Sequence, residues 1–112
     1  VDCLGISTEA EKITWDRDRR IRQEIKKELK EEISENIYIT GRNTLDIVPN
    51  GKTKADNILG LLSLLSYDKN ECIYIGDEFY EDGNDYSVSS LGLDIYPVSS
   101  PEETKDILSM YI

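Results

Sequence analysis

Histidine is absent from the 112 residues, which excludes a His-based triad, a His metal site and a His general base within them. Cysteine occurs twice, as Cys3 and Cys72. The two stand far apart and match no metal-ligand spacing, and they are too few for a disulfide scaffold, so two reduced, buried thiols are expected. No apolar run approaches the roughly 20 residues needed to span a bilayer. The first residues lack the basic stretch followed by an apolar one that marks a signal peptide. A cytoplasmic protein without a membrane partner is the expectation. Positive charge is scarce as well, with 13 Lys and Arg against 23 Asp and Glu, a formal charge of −10. Such a surface repels nucleic acid and anionic lipid alike, because binding a phosphate backbone needs a basic patch.

What is present suffices for a core: the hydrophobic content is 38%, so wholesale disorder is not expected. Val1 to Ile6 reads as a short strand. Thr8 followed by Glu11 is a capping-box pattern that starts a helix. Ile13, Ile21, Ile25, Leu29 and Ile33 then recur in steps of four with one doubled gap, the stripe of a single long helix. Its "KKELKEE" run supplies i,i+4 charge pairs on the wet side. Asn36 to Thr40 and Thr44 to Val48 read as strands joined at Gly41-Arg42-Asn43, an antiparallel hairpin. Thr44 and Asp46 lie two apart and share one face, leaving Leu45 and Ile47 to face the helix stripe.

Pro49-Asn50-Gly51 breaks the pattern and marks the expected domain boundary, residues 1-48 on one side and 49-112 on the other. Beyond it come a helix carrying Ile58, Leu61, Leu62 and Leu65, the apolar strand Cys72 to Ile75, and an acidic, glycine-bearing loop. A second strand, Leu93 to Val98, and a closing helix from about Glu102 follow. The expected fold class is therefore α/β: a parallel α/β layer after an α+β piece that contains the hairpin.

The stretch "CIYIGDEFYEDGNDYS" carries the chemistry. Asp77 directly follows an apolar strand, at the carboxyl edge where open α/β sheets place ligands. Glu78, Glu81, Asp82 and Asp85 crowd the same loop, and packed carboxylates suit a hard divalent cation. An ordinary acidic surface loop is the alternative. Lys54 opens a helix, where its charge opposes the dipole unless an anion lies nearby. Lys52 and Lys54 as plain solvated lysines are the alternative there.

A lysine opening a helix, then a strand ending in Gly-Asp and a later Asn-Asp, resembles the third and fourth motifs of the haloacid dehalogenase superfamily. The six residues Glu78 to Gly83 between Asp77 and Asn84 give a lengthened loop similar to that of eukaryotic-type phosphomannomutases. "DIVPNGKTK", "VSSPEET", "TLDIVP" and "RIRQEI" resemble segments of that family in the same order. The resemblance covers nearly the whole chain and is strongest from Thr44 to Thr104. It implies the C-terminal half of a Rossmann-like core behind part of a cap domain, in a Mg²⁺-dependent enzyme that works through an aspartyl-phosphate.

Carried over, Asp77 would ligate Mg²⁺, while Asn84 and Asp85 would support the metal shell and orient Lys54. Lys54 would offset the charge of nucleophile and phosphate. Arg22, Thr44 and Asp46 would bind a sugar phosphate, although Arg22 taken alone reads equally as a solvated helix residue. The family's first motif, with its phosphoryl-accepting aspartate, and the Ser/Thr of its second have no counterpart here. Gly5-Ile6 stands where the family has Gly-Arg. A phosphomutase fragment is the leading expectation, beside a sugar phosphatase of a neighbouring branch and a non-catalytic acidic binding domain. The missing N-terminal half would supply strands beside Cys72 to Ile75, so that edge is expected to be open, favouring a homodimer or pairing with the absent half. By itself the chain should be inert. Purified and supplied with Mg²⁺ and sugar phosphates, it is expected to release no phosphate, and measurable Mg²⁺-dependent hydrolysis would overturn that reading.

Overall fold

A computed structural model describes all residues from Val1 to Ile112. The chain divides into two compact units, Val1–Thr53 with Asp82–Asn84, and Lys54–Glu81 with Asp85–Ile112.

In the first unit Thr8 caps α1 (Glu9–Thr14), accepting from the Glu11 amide at 3.2 Å. The long helix expected from the stripe is in fact two, because the chain breaks after Trp15 and resumes as α2 (Arg20–Leu29). The break falls inside the doubled gap between Ile13 and Ile21. Asp16 (φ 48°) and Arg19 (φ 62°) adopt left-handed backbone, which non-glycine residues hold only when the surroundings enforce it. What enforces it is the Asp16 carboxylate, which accepts from the amides of Ile21 (2.8 Å) and Arg22 (3.2 Å) and so caps α2. The same carboxylate takes Arg22 Nε at 2.7 Å, and both side chains are buried. Arg22 Nη1 donates onward to the carbonyls of Thr40 and Gly41, each at 3.1 Å, tying this loop to the hairpin turn.

The hairpin has the expected bounds, β1 (Asn36–Thr40) and β2 (Thr44–Val48), paired antiparallel with Ile39 opposite Leu45. Gly41 at φ 56° supplies the left-handed residue of the turn. Ile37, Ile39 and Leu45 form the core, packed against Cys3, Ile25, Leu29 and Ile33. Ile13, Ile21 and Ile47 remain over two-fifths exposed, so only the C-terminal part of the stripe is buried, and Leu45 but not Ile47 meets it. The expected strand at Val1 to Ile6 is reduced to one antiparallel bridge, Asp2 to Thr44. Asp2 Oδ1 accepts from the amides of Leu4 (2.9 Å) and Gly5 (3.0 Å), and Gly5 turns at φ 72°, curling the chain off the sheet. On β1's other side, Ile39 donates to the Asp82 carbonyl at 2.7 Å, while Lys26 Nζ pairs with Asp82 Oδ1 at 2.6 Å.

The second unit is built on a parallel pair, β3 (Ile73–Gly76) and β4 (Asp94–Pro97), with Ile73 opposite Asp94. It is preceded by α3 (Lys54–Leu65) and followed by α4 (Pro101–Ser109). The crossover holds only a short 3-10 segment, Tyr86–Ser90, with Val88 fully buried. Ser100 caps α4 by accepting from the Glu103 amide, with Pro101 at the first helical position. No residue of α3 is buried, and Leu61, Leu64 and Leu65 are more than half exposed. Both cysteines are unpaired and half-buried. No helix is long and apolar enough to cross a membrane.

The Asp16–Arg22 pair should dominate the first unit's stability. Removing one partner strands the other buried charge, so Asp16→Ala or Arg22→Ala is expected to cost about 3–5 kcal/mol in denaturant unfolding. Burial pushes the Asp16 carboxyl up, but the Arg22 guanidinium and the two amides outweigh it and hold it below the usual range. Its folded value therefore lies under the unfolded one, about 4. The contribution is full above about pH 4 and fades as pH falls through the lower folded value. Acid titration of unfolding midpoints checks this, and a loss beginning near neutral pH would contradict it.

Candidate active site

Asp85 organises the second unit. It is 2% exposed, and its Oδ1 accepts from Lys54 Nζ at 2.7 Å and from the Tyr74 hydroxyl at 2.6 Å. Its Oδ2 accepts from the amides of Asp77 (3.1 Å) and Glu78 (2.9 Å). Burial raises the carboxyl, yet these donors, Lys54 foremost, bring it below the ordinary value. Tyr74 is pushed the other way, well above a normal phenol, by burial and by the Asp85 anion that its proton serves. Phe79 meets the Tyr74 ring edge-on at 5.9 Å.

Each partner is delivered by a separate local device. Lys54 is the first residue of α3, where the Ala55 amide donates to Ser87 Oγ at 3.3 Å. The Asp85 anion answers the unfavourable placing of a cation at a helix start. Tyr74 and Gly76 lie two apart on β3 and so share a face. At Gly76 a Cβ would stand 2.6 Å from Asp85 Oδ2, so only glycine lets the strand approach the carboxylate. The Asp85 amide returns a bond to the Glu78 carbonyl at 3.0 Å, closing the acidic loop on itself.

Asp77 emerges exposed at the carboxyl end of β3, with its side chain uncommitted while its amide serves Asp85. It lines an open groove of about 530 Å³ with Val98, Ser99, Ser100, Thr104 and Lys105. The structure thus brings Lys54, Asp85 and the Asp77 backbone together in one unit. Asn84 precedes Asp85 in the chain but belongs with Asp82 and Gly83 to the first unit. There too lie Arg22, held in its buried pair, Thr44, whose hydroxyl bonds Asn43 Oδ1, and Asp46, which accepts from Thr40 Oγ1 at 3.0 Å. Tyr74, and the reason for Gly76, escaped the sequence reading. The signal was their two-residue spacing on the strand that delivers Asp77.

No group of three or more Asp, Glu, Cys or His side chains converges in a way that could hold a metal ion. Asp77 still fits Mg²⁺ as a single ligand, because that ion is usually held by one or two carboxylates together with substrate phosphate and water. Asp16-Arg17-Asp18 spells Asp-x-Asp, yet both oxygens of Asp16 are occupied within the buried cap, which leaves no nucleophile there.

A family model described as haloacid dehalogenase-like hydrolase matches residues 5–88. The chain belongs to the haloacid dehalogenase-like hydrolases. Among curated relatives it is similar to IMP-specific 5'-nucleotidase 1 of Plasmodium falciparum, 42% identical over 55 residues, which is 49% of this chain and 12% of that protein. Among solved structures it is similar to an N-terminally truncated, IMP-bound IMP-nucleotidase of the same organism. There the TM-score is 0.66 and the identity 30%, over 89% of this chain and 27% of the other. A mutant of that nucleotidase with IMP bound gives 0.63 and 28%, over 85% and 26%. The chain therefore spans about a quarter of the solved relatives it matches and a smaller share of the curated one.

The Gly76 contact sets a test for the site. Gly76→Ala forces a methyl against the buried carboxylate, so a loss of about 1–3 kcal/mol is expected in unfolding experiments, as for overpacked cores. A neutral Gly76→Ala would mean that Asp85 does not sit against the strand.

Proposed function

We propose that this chain forms part of a Mg²⁺-dependent phosphohydrolase of the haloacid dehalogenase class that cleaves phosphate monoesters, with nucleoside 5'-monophosphates as the favoured substrates. The likeness to IMP-nucleotidases supports the phosphatase reading over the phosphomutase one. The observation that carries the catalytic part is the Asp85 carboxylate, buried on four donors with Lys54 among them. Lys54 Nζ is fixed at one oxygen, while its side chain remains 44% exposed. An ammonium so placed is preorganised to meet an anion without having to be ordered at the moment of reaction.

The nucleophilic aspartate would come from outside these residues. Lys54 would offset charge on the transferring phosphoryl group, and Asp85 would keep the ammonium aimed. Asp77 would contribute to holding Mg²⁺, which when bound neutralises phosphoryl oxygens as a Lewis acid. The exposed leucines of α3 would be covered by the rest of the protein or by a second copy, since apolar patches of this kind mark interfaces. The phosphomutase alternative keeps one support, the six residues from Glu78 to Gly83 before Asn84. Activation of turnover by a bisphosphorylated sugar would favour it.

In the full-length protein, Lys54→Ala should lower kcat by about 10²–10³-fold with KM changed far less, because the lysine answers charge that develops in the transition state. Asp77→Asn should raise the Mg²⁺ concentration needed for half-maximal rate. Phosphate release from nucleoside 5'-monophosphates reads both, and near-normal turnover in both variants would sink the assignment.

A further inference from the structure

The four donors on Asp85 match the lone-pair sites of a carboxylate, two to each oxygen. Oδ2 is taken by the amides of Asp77 and Glu78, so backbone alone sets that side. Oδ1 is shared by two side chains, Tyr74 donating at 2.6 Å and Lys54 at 2.7 Å. These two donors differ in stiffness. Lysine carries its ammonium on a flexible stem, and the Lys54 side chain is 44% exposed. The Tyr74 hydroxyl instead ends a planar ring, and that ring is wedged. Phe79 meets it edge-on at 5.9 Å, and Gly76 lies flush beneath it, since a Cβ there would stand 3.0 Å from Tyr74 Cε1.

Ile73 and Ile75 flank Tyr74 on β3, and a phenylalanine between them would fill the same space without a donor. The hydroxyl is what differs. With it gone, Oδ1 offers the ammonium two directions instead of one. Room to change direction exists, because Lys54 and Tyr74 border a hollow of about 220 Å³ together with Asn57, Ile58 and Leu61. An ionised carboxylate only accepts, so the phenol must keep its proton to bond there. Burial and the Asp85 anion both hold that proton on. We propose that Tyr74 is a positioning residue, whose hydroxyl fills one lone pair of Asp85 Oδ1 and so confines the Lys54 ammonium to the other. The catalytic consequence rests on the reading of Lys54 as the cation that meets the transferring phosphoryl group, while the confinement itself does not.

In the full-length protein, Tyr74→Phe should lower kcat for nucleoside 5'-monophosphates by about 10–10²-fold with KM nearly unchanged, the scale of a small misplacement of a reacting group. In a Lys54→Ala background the same substitution should change kcat by less than about twofold, because residues that act through one another do not contribute independently. A loss of folded protein would cut both backgrounds alike, so equal losses overturn the proposal. The ammonium is also read directly, through the ¹⁵N signals of labelled lysines, with Lys54→Arg supplying the assignment. The Lys54 signal should be protected from solvent exchange in the parent and broadened or lost in Tyr74→Phe. Equal protection in both proteins overturns the proposal. Phe79→Leu keeps the hydroxyl but loosens the ring, and should reproduce the same pattern with a smaller fall in kcat; it carries the test if Tyr74→Phe does not fold. Near-normal kcat in Lys54→Ala would sink the phosphohydrolase reading instead, and the ammonium signal would then decide the confinement alone.

Discussion

A buried carboxylate is tolerable only when its lone pairs are filled, and that constraint shapes both halves of this chain. Asp85 collects an ammonium, a phenol and two amides. To do so it requires a glycine on β3, a tyrosine two residues earlier, a lysine at the start of α3 and a loop that folds back through Glu78. Asp16 repeats the solution in the first unit with a guanidinium and the two amides at the start of α2. In each unit one anion fixes a helix terminus and a neighbouring turn together, so the polar framework substitutes for a large apolar core.

That substitution matters because the apolar core is small. Only Ile37, Ile39, Leu45 and Val88 are fully buried among the hydrophobic residues, while α3 leaves most of its leucines in water. A helix that is apolar on several sides is ordinarily a buried one, and the chain spans only about a quarter of its solved relatives. The second unit's two-stranded parallel sheet points the same way, since parallel sheets are ordinarily covered on both faces.

Local signals in the sequence were legible where they are periodic or match a capping pattern. The Thr8 cap, both hairpin strands and the closing helix follow from capping and period alone. The failures are carboxylates that turn onto nearby amides and interrupt a periodic element. Nothing within Val1 to Ile6 shows that Asp2 will turn its carboxylate on the Leu4 and Gly5 amides rather than let the strand run. The helix break was visible as a doubled gap, but its cause, Asp16 reaching forward to cap α2, is a choice that helical periodicity does not encode. Lys54 and Asp85 stood out because their types and order resemble a family's motifs, and the structure pairs them at 2.7 Å. Tyr74 was not, because a tyrosine in an apolar strand reads as core.

The asymmetry of the Lys54–Asp85 pair separates structure from chemistry at the site. The carboxylate is 2% exposed and the ammonium's side chain 44%. Two fully buried charges would satisfy each other and have little left for a third, whereas two exposed ones would be screened by water and ions. Here the anion has three donors besides the lysine, so Lys54 shares the task of keeping Asp85 satisfied. Its attraction to Asp85 also holds a cation at a fixed place on the surface. Its exposure beside a buried, bonded carboxylate is compatible with the anion-receiving role proposed for it.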